Sequence, residues 1–509
     1  MNLNAPTLVS VFLVSLAILV SLLGRSKNRR RPPGPRCLPF IGSLHHLMLT
    51  SEPQVALRDL ARKHGPVMYL RLGHVDTVVI SSASAAQEVL RDSTLNFASR
   101  PNLRSTEVLC YGNRDIAFAP YGAYWRRLRK LCTVELLSTR RVSQFAPIRD
   151  RETLSLVRNV ATSGSGGQLP VNIGRLLVSC ANSITAKATF GSGIDAELQE
   201  QFLAAMNHAL EFSGGFCVGD VFPSLGLLDV VTGLSRRLWR AQGDLDAVLA
   251  KFIAGCEAVR DQKKTATGDD DLLSILLRIR DEGEELGKLP ITTTNIKAII
   301  VDMFTGGTET TSSSVEWIMS ELMRNPRVMA EAQKEVRHVL DNKRPEDHEG
   351  CLEQLRYMGM VVKEGLRLHP ALPLLLPRTC RETCNIGGFQ VTQGSRVMVN
   401  AWAIARSPEY WQDADQFRPE RFEGTTVDYK GTQFEYIPFG AGRRMCPGTN
   451  FGIAVLDLML ARLLYYFDWS LPSGIAPDEL DMHMIVGATT KRKNQLHLVA
   501  VPRNVPAQI

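Results

Sequence analysis

The stretch "PFGAGRRMCPG", residues 438–448, constrains this chain more than any other. It sets one cysteine, Cys446, among three glycines, two prolines and two arginines. Glycine at 440, 442 and 448 leaves no Cβ to hold the backbone away from a neighbouring group, and permits turns that other residues resist. Directly afterwards "TNFGIAVLDLMLARLLYYF", 449–467, is apolar and reads as a helix. The positive end of its dipole lies beside Cys446 and favours a negative sulfur there. The fold has to bring this bare loop and its thiol close to something else.

At 509 residues the chain could hold three average domains or one large one. Its net charge of +7 is concentrated at the start. Residues 1–36 hold six basic side chains (Arg25, Lys27, Arg29, Arg30, Arg31, Arg36) and no acidic one, leaving 53 basic against 52 acidic afterwards. That balance excludes nucleic-acid binding by a charged surface. From Ala5 to Gly24 there is no charge at all, and a helix of this length spans about 30 Å, a bilayer core. The basic residues that follow place the rest of the chain in the cytosol. A cleavable signal peptide would carry its charge on the other side of the apolar run. Residues 1–24 are therefore expected to be a single-pass signal anchor, and 25–42, with four prolines between Pro32 and Gly42, a basic, proline-rich hinge. The ten cysteines form no disulfide framework, and Cys380 and Cys384 have no second pair to complete a zinc site.

For 43–509 the expectation is one mainly α-helical domain with minor β. "VMYLRL" and "TVVIS" read as a hairpin around Gly73, and "SRVMVN" (395–400) and "NQLHLVAVP" (494–502) as further strands. Between them helical periodicity dominates, broken by loops near 162–170 and 263–271. No internal repeat is present.

Three further stretches bear on chemistry. In "AIIVDMFTGGTETTSSSVEWIMSELM", 298–323, apolar residues keep helical spacing over seven turns, which predicts one long core helix. Gly306 and Gly307 interrupt it, each costing about 1 kcal/mol against alanine, and Glu309, Thr310 and Thr311 follow directly. A tight helix crossing explains the glycines alone; polar groups at the same height suggest a bulky neighbour and a chemical role. Glu364 and Arg367 lie three apart on one helix face, and Arg421 in "DQFRPERF" could bridge to Glu364 as a structural third member. Trp125 and Arg129 lie one turn apart and could hold an anion between them, although a solvated basic face would look the same. The GxGxxA match at Gly191, Gly193 and Ala196 has no strand before it, so no dinucleotide site is expected.

A cysteine thiolate in such a loop can hold haem iron, with Arg444 within reach of a propionate. "FGAGRRMCPG" resembles the signature F-x-x-G-x-R-x-C-x-G of the cytochrome P-450 family at Phe439, Gly442, Arg444, Cys446 and Gly448. "GGTETT", E-x-x-R at Glu364 and Arg367, "PERF", W-x-x-x-R at Trp125 and Arg129, and "PPGP" after the basic anchor follow in family order along the whole chain. The wording is similar to plant microsomal (class II, A-type) members, closest in look to grass enzymes that oxidise terpenoids, diterpenoids above all.

The resemblance implies the cytochrome P-450 fold, a large helical domain with a small β-rich region, and haem b with Cys446 as its axial thiolate. Trp125, Arg129, Arg378 and Arg444 would contact propionates. Glu309 and Thr310 would manage protons, and Glu364, Arg367 and Arg421 would form the structural triad. Substrate walls would come from Ala298, Val301, Asp302 and Thr305, from Leu372 and Leu376, and from Val486, together with 105–118. The missing dinucleotide site then means that NADPH electrons arrive through NADPH–cytochrome P-450 reductase, docking near Arg127 and Lys130, with a cytochrome b-type protein as a second donor. The resemblance places the enzyme in the endoplasmic reticulum membrane, in contact with lipid, its catalytic domain facing the cytosol. The expected reaction is monooxygenation of a hydrophobic small molecule, best sought among terpenoids of plant defence; alkaloids, phenylpropanoids and fatty acids are the other classes. A haem protein that only binds or senses such a ligand would not need Glu309 and Thr310; a membrane-anchored thiol protein without haem is the third alternative, which a visible spectrum separates from the other two.

Overall fold

Helix α12 (Thr449–Tyr466) buries Phe451, Val455, Leu456, Leu458, Met459, Leu460, Leu463 and Leu464, so almost its whole circumference needs apolar partners. The structure, a computed structural model, describes residues 30–505 apart from 49, 192–194, 213–216, 263–270, 282–290, 488 and 504. The partners of α12 are α3 (Ala146–Ser163), α4 (Ile173–Phe190) and α9 (Glu309–Arg324): α3 packs on α4, α4 on α9, α9 on α12 and α12 on α3, closing a ring. Arg462 is fully buried in α12, a cost that only pairing offsets. It donates to the Asp150 carboxylate, to Thr153 Oγ1 at 2.5 Å and to Pro345 O at 2.7 Å, tying α12 to α3.

Around the ring lie α1 (Pro53–His64), α2 (Ala123–Leu131), α5 (Ala196–Leu210), α6 (Leu234–Gln262), α7 (Leu272–Asp281), α8 (Thr293–Gly307), α10 (Pro326–Leu340) and α11 (Arg356–Leu368). The expected hairpin forms from β1 (Val67–Leu72) and β2 (Val75–Ile80), turning at Gly73 with φ +61°. β2 pairs in parallel with β7 (Arg396–Val399), and β7 pairs antiparallel with β4 (Arg378–Thr379). A second sheet joins β3 (Pro170–Asn172), β11 (His497–Pro502) and β8 (Phe467–Ser470). β5 (Cys384–Ile386) with β6 (Phe389–Val391), and β9 (Met484–Val486) with β10 (Thr490–Arg492), make two hairpins. Several of these strands are only two or three residues long, too short for hydrophobic alternation to announce them.

The expectation of one helix over 298–323 needs correcting: Thr308, with φ −94° and ψ −69°, separates α8 from α9. The hydroxyls of this stretch bond back to carbonyls four residues earlier, Thr310 to Gly306 at 2.5 Å, Ser312 to Thr308 at 2.9 Å and Ser314 to Thr310 at 2.8 Å. Such bonds compete with the helical ladder and bend it, and the glycine pair offers little resistance. Gly191 ends α4 and Ala196 opens α5, so the GxGxxA match lies between helices, with Gly193 outside the described residues.

Two apolar cores meet where the cysteine loop runs. Ala441 belongs to the smaller one, under the sheet with Val67, Val78, Ile80, Leu90 and Val397, whereas Phe439 packs against the helical one. The expected anchor, 1–24, and the start of the hinge lie outside the described residues. Among those described, no helix is long and apolar enough to cross a membrane.

Candidate active site around Cys446

The loop owes its path to its glycines. Gly440 and Gly442 adopt φ of +70° and +68°, and a Cβ on Gly442 would stand 1.9 Å from Leu90 O. Only glycine satisfies both conditions. The Cys446 N–H donates to Phe439 O at 3.0 Å, and Gly448 leads into α12 with Thr449. Cys446 has accessible surface, yet burial is the largest influence on its thiol and pushes its pKa up. The Gly448 N–H, the Thr449 hydroxyl and the Arg129 charge pull the pKa back down. A metal would complete what these begin, because its binding displaces the proton.

Buried cations gather nearby. Arg444 is buried and donates to Ala98 O at 2.7 Å, Ile116 O at 3.0 Å and the Ala119 carbonyl, with its guanidinium 4.1 Å from the Trp125 ring centroid. Trp125 Nε1 donates to Ile116 O at 2.9 Å, and Arg129 to Met445 O at 2.7 Å. Arg378 reaches Phe97 O at 3.2 Å and leaves its Nε without a partner. Sequence reading missed Arg100, which donates to Ala117 O at 3.0 Å, Leu376 O at 2.7 Å and Pro377 O at 3.0 Å. Its partners are backbone carbonyls and its neighbours other arginines, so no residue spacing gives it away. Burial lowers the pKa of Arg100 well below its ordinary value, and the charges of Arg378 and Arg444 lower it further. Burial likewise brings Arg378 down to about 10 and Arg444 to about 9. Cations crowded in this way call for an anion.

Asp302, expected in the substrate wall, has another occupation. Its Oδ2 accepts from Ile116 N at 2.6 Å and Ala117 N at 3.2 Å, and its carboxyl faces that of Asp115. Burial and the Asp115 charge raise its pKa well above the ordinary carboxylate value. Asp115 Oδ2 accepts from Phe118 N at 3.0 Å. The peptides that Asp302 holds by their N–H groups are those whose carbonyls hold Arg444, Trp125 and Arg100. Ala298 and Val301 are buried, while Thr305, Leu372, Leu376 and Val486 are half-buried.

Each glycine of the pair answers a different expectation. A Cβ on Gly307 would meet Thr185 Oγ1 of α4 at 3.2 Å, a helix crossing. A Cβ on Gly306 would meet nothing within 4 Å, although the residue belongs to a core helix. The Glu309 carboxylate points to β10, accepting from Thr489 Oγ1 at 3.0 Å and pairing with Lys491. Glu364, Arg367 and Arg421 come together: Arg367 donates to both Glu364 oxygens at 2.7 and 2.9 Å, and Arg421 Nε to Oε1 at 3.0 Å, all largely buried.

An accessible thiol, open room beside Gly306 and a buried arginine cluster suit a flat group with anionic arms, bound through sulfur. These are the parts of a haem-thiolate site. Residues 32–498 match the family "Cytochrome P450". The chain is 60% identical to cytochrome P450 99A2 of Oryza sativa subsp. japonica over 514 residues, 99% of this chain and 94% of that protein. It is 61% identical to the 9-beta-pimara-7,15-diene oxidase of the same plant, over 97% of this chain and 96% of that protein. Its fold is also that of a zebrafish cytochrome P450 solved with progesterone, with a TM-score of 0.74 and 25% identity over 88% of this chain and 99% of that one. The chain belongs to the cytochrome P450 family. It is a haem-thiolate monooxygenase that takes electrons from NADPH through a reductase and inserts one oxygen atom of O2 into a hydrophobic small molecule. Haem, when bound, supplies the oxygen activation; the protein supplies the ligand, the fit and the protons.

Proposed function

We propose that the substrate is a plant terpenoid, with a diterpene hydrocarbon of the pimaradiene type first in line. The observation that carries this is the 61% identity, over nearly the whole of both chains, to a protein named for oxidising 9β-pimara-7,15-diene. The apolar composition of "ALPLLLP" and "AIIVDMF" supports it, since a hydrocarbon offers no group for a polar wall to bind. In this reading Cys446 is the axial ligand, seated by Phe439, Gly442 and Gly448. Arg100, Arg129, Arg378, Arg444 and Trp125 hold the propionates. Ala298, Val301, Thr305, Leu372, Leu376 and Val486 enclose the substrate, and Asp302 fixes the turn behind the arginines. Thr310 and Glu309 move protons inward while the surrounding side chains exclude bulk water. Residues 1–24 anchor the chain in the endoplasmic reticulum membrane, 25–42 are its hinge, and 43–509 face the cytosol; a cytochrome b-type protein can supply the second electron.

The test is to express the full chain with a plant reductase and offer the microsomes 9β-pimara-7,15-diene beside sesquiterpenes, fatty acids and phenylpropanoids. Oxygenated diterpene formed at the expense of NADPH is the expected result. Turnover confined to another class would overturn the substrate assignment. Loss of the protein from the membranes on carbonate washing would overturn the anchor.

A further inference from the structure

We propose that Lys491 is a positioning residue for Glu309, and that the β9–β10 hairpin thereby joins the substrate wall to the proton path. The proposal rests on the monooxygenase reading and deepens it. Glu309 opens α9, but its carboxylate reaches sideways to β10: Oε2 accepts from Thr489 Oγ1 at 3.0 Å and Oε1 pairs with Lys491 Nζ. Thr489 is buried, the Glu309 side chain is 16% exposed and that of Lys491 54% exposed. The set runs from the interior to the solvent.

Anchoring the hairpin does not require this ion pair. The Thr490 carbonyl accepts from Ser313 Oγ at 2.6 Å and Trp317 Nε1 at 3.4 Å, while Thr490 N donates to Ala371 O at 2.9 Å. Two residues further on, Arg492 reaches Ser320 Oγ at 2.9 Å. β10 is thus held along α9 on both sides of Lys491, and a half-exposed ion pair adds little to stability. What Lys491 adds is orientation: it keeps one edge of the Glu309 carboxylate at the solvent, next in sequence to Thr310.

The reaction needs such an end to its path. Substrate C–H, O2, two protons and two electrons give C–OH and water; the electrons come from NADPH through the reductase and the protons from solvent. A proton from water beside Lys491 passes to the Glu309 carboxylate and on toward the Thr310 hydroxyl. Val486 belongs to the same hairpin, whose turn is closed by Gly487 N donating to Thr489 O at 3.0 Å. Substrate pressing on Val486 therefore steadies the residues that aim the acid.

The experiment compares Lys491→Gln and Lys491→Arg with wild type, using 9β-pimara-7,15-diene and reductase. Product per NADPH should fall about 10-fold in the glutamine variant, below the roughly 10²–10⁴-fold carried by positioned proton transfer as a whole. Hydrogen peroxide should rise to match, and arginine should restore the ratio to within about 2-fold, since it renews the charge-assisted bond. The band of the reduced carbon monoxide complex, the thermal midpoint and the substrate Kd should stay at wild-type values. A wild-type product ratio in Lys491→Gln, an arginine variant as impaired as glutamine, or a lost carbon monoxide band would each overturn the proposal. If the wild-type enzyme makes no product from this diene, the substrate assignment alone fails. The solvent deuterium isotope effect on NADPH-driven peroxide formation then decides: the proposal requires it to change in Lys491→Gln, and an unchanged value sinks it.

Discussion

Around Cys446, side chains from distant parts of the chain converge on buried carbonyls and on one another. Arg444 spans to residues 98, 116 and 119, Arg129 to Met445, and Glu364 gathers Arg367 and Arg421. At the break between α8 and α9 the hydroxyls of Thr310, Ser312 and Ser314 bond to carbonyls only four residues earlier in the chain. The first region is cross-linked and expensive to disturb, because each lost partner leaves a buried charge. At the second these three hydroxyls are satisfied locally, so Thr310 can change without leaving a buried charge unpaired. The ligand wall should therefore fail by losing structure or cofactor, and the helix break by losing control of protons.

The largest effect tests the ligand itself. Cys446→Ser puts a hydroxyl, far weaker as an iron ligand and protonated at neutral pH, where the thiol stands. The red-shifted Soret band of the reduced carbon monoxide complex should vanish completely; its survival would remove Cys446 from the iron.

Next comes the cross-linking. Glu364→Gln leaves Arg367 and Arg421 without their counter-charge in a buried site, which should cost about 3–5 kcal/mol of stability. Thermal unfolding and haem retention are the measurements, and a variant within about 1 kcal/mol of wild type would mean the neighbouring carbonyls suffice. Arg367 does have such acceptors, Ala405 O and Ala414 O, each at 2.7 Å.

The two regions also differ in how much of them the sequence displays. Glu364 and Arg367 stand three apart on one helix, so their meeting is local geometry, and the loop glycines announce a turn by composition. The bend at Thr308 is hidden because apolar periodicity continues straight through it, while the hydroxyls that cause it look like ordinary polar helix residues. Lys491 and Thr489 are hidden by distance, meeting Glu309 across some 180 residues of chain. Arg100 is hidden by its partners, since a carbonyl has no residue type. Asp302 lies on the expected helix, where a role in the substrate wall is the expectation. Its carboxyl holds a backbone turn, which no side-chain pattern reports.

At the helix break, Thr310→Ala should leave the carbon monoxide spectrum and the thermal midpoint unchanged while product per NADPH falls and peroxide rises. Positioned proton transfer contributes roughly 10²–10⁴-fold, and Thr311 beside it can take over part of the role. An unchanged product ratio would take Thr310 off the proton path. A drop in stability as large as that of Glu364→Gln would erase the contrast between the two regions.

The smallest effect is expected where the regions touch. Asp302 sits on α8, on the side of the helix break, yet it holds the 116–117 peptides whose carbonyls hold Arg444 and Trp125. Burial raises the pKa of both carboxyls, and the Asp115 charge raises that of Asp302 further, whereas the Phe118 N–H and the contact with Asp302 pull Asp115 back down. A protonated Asp302 accepts two N–H bonds and donates one bond, and asparagine can do the same. Asp302→Asn should therefore keep haem and stability within about 1 kcal/mol at mildly acid pH, whereas Asp302→Ala orphans buried N–H groups at about 1–3 kcal/mol. The pH sign follows from the direction of the shift. A raised carboxyl pKa in the folded state stabilises it below the ordinary value of 3.8, and that contribution is lost as pH rises toward the folded value. Asparagine has no proton to lose, so the thermal midpoint of Asp302→Asn should gain on wild type as pH rises above the ordinary value of 3.8. Parallel curves for the two proteins would show that Asp302 is ionised throughout, and the link between the regions would then be a charge held against its neighbour.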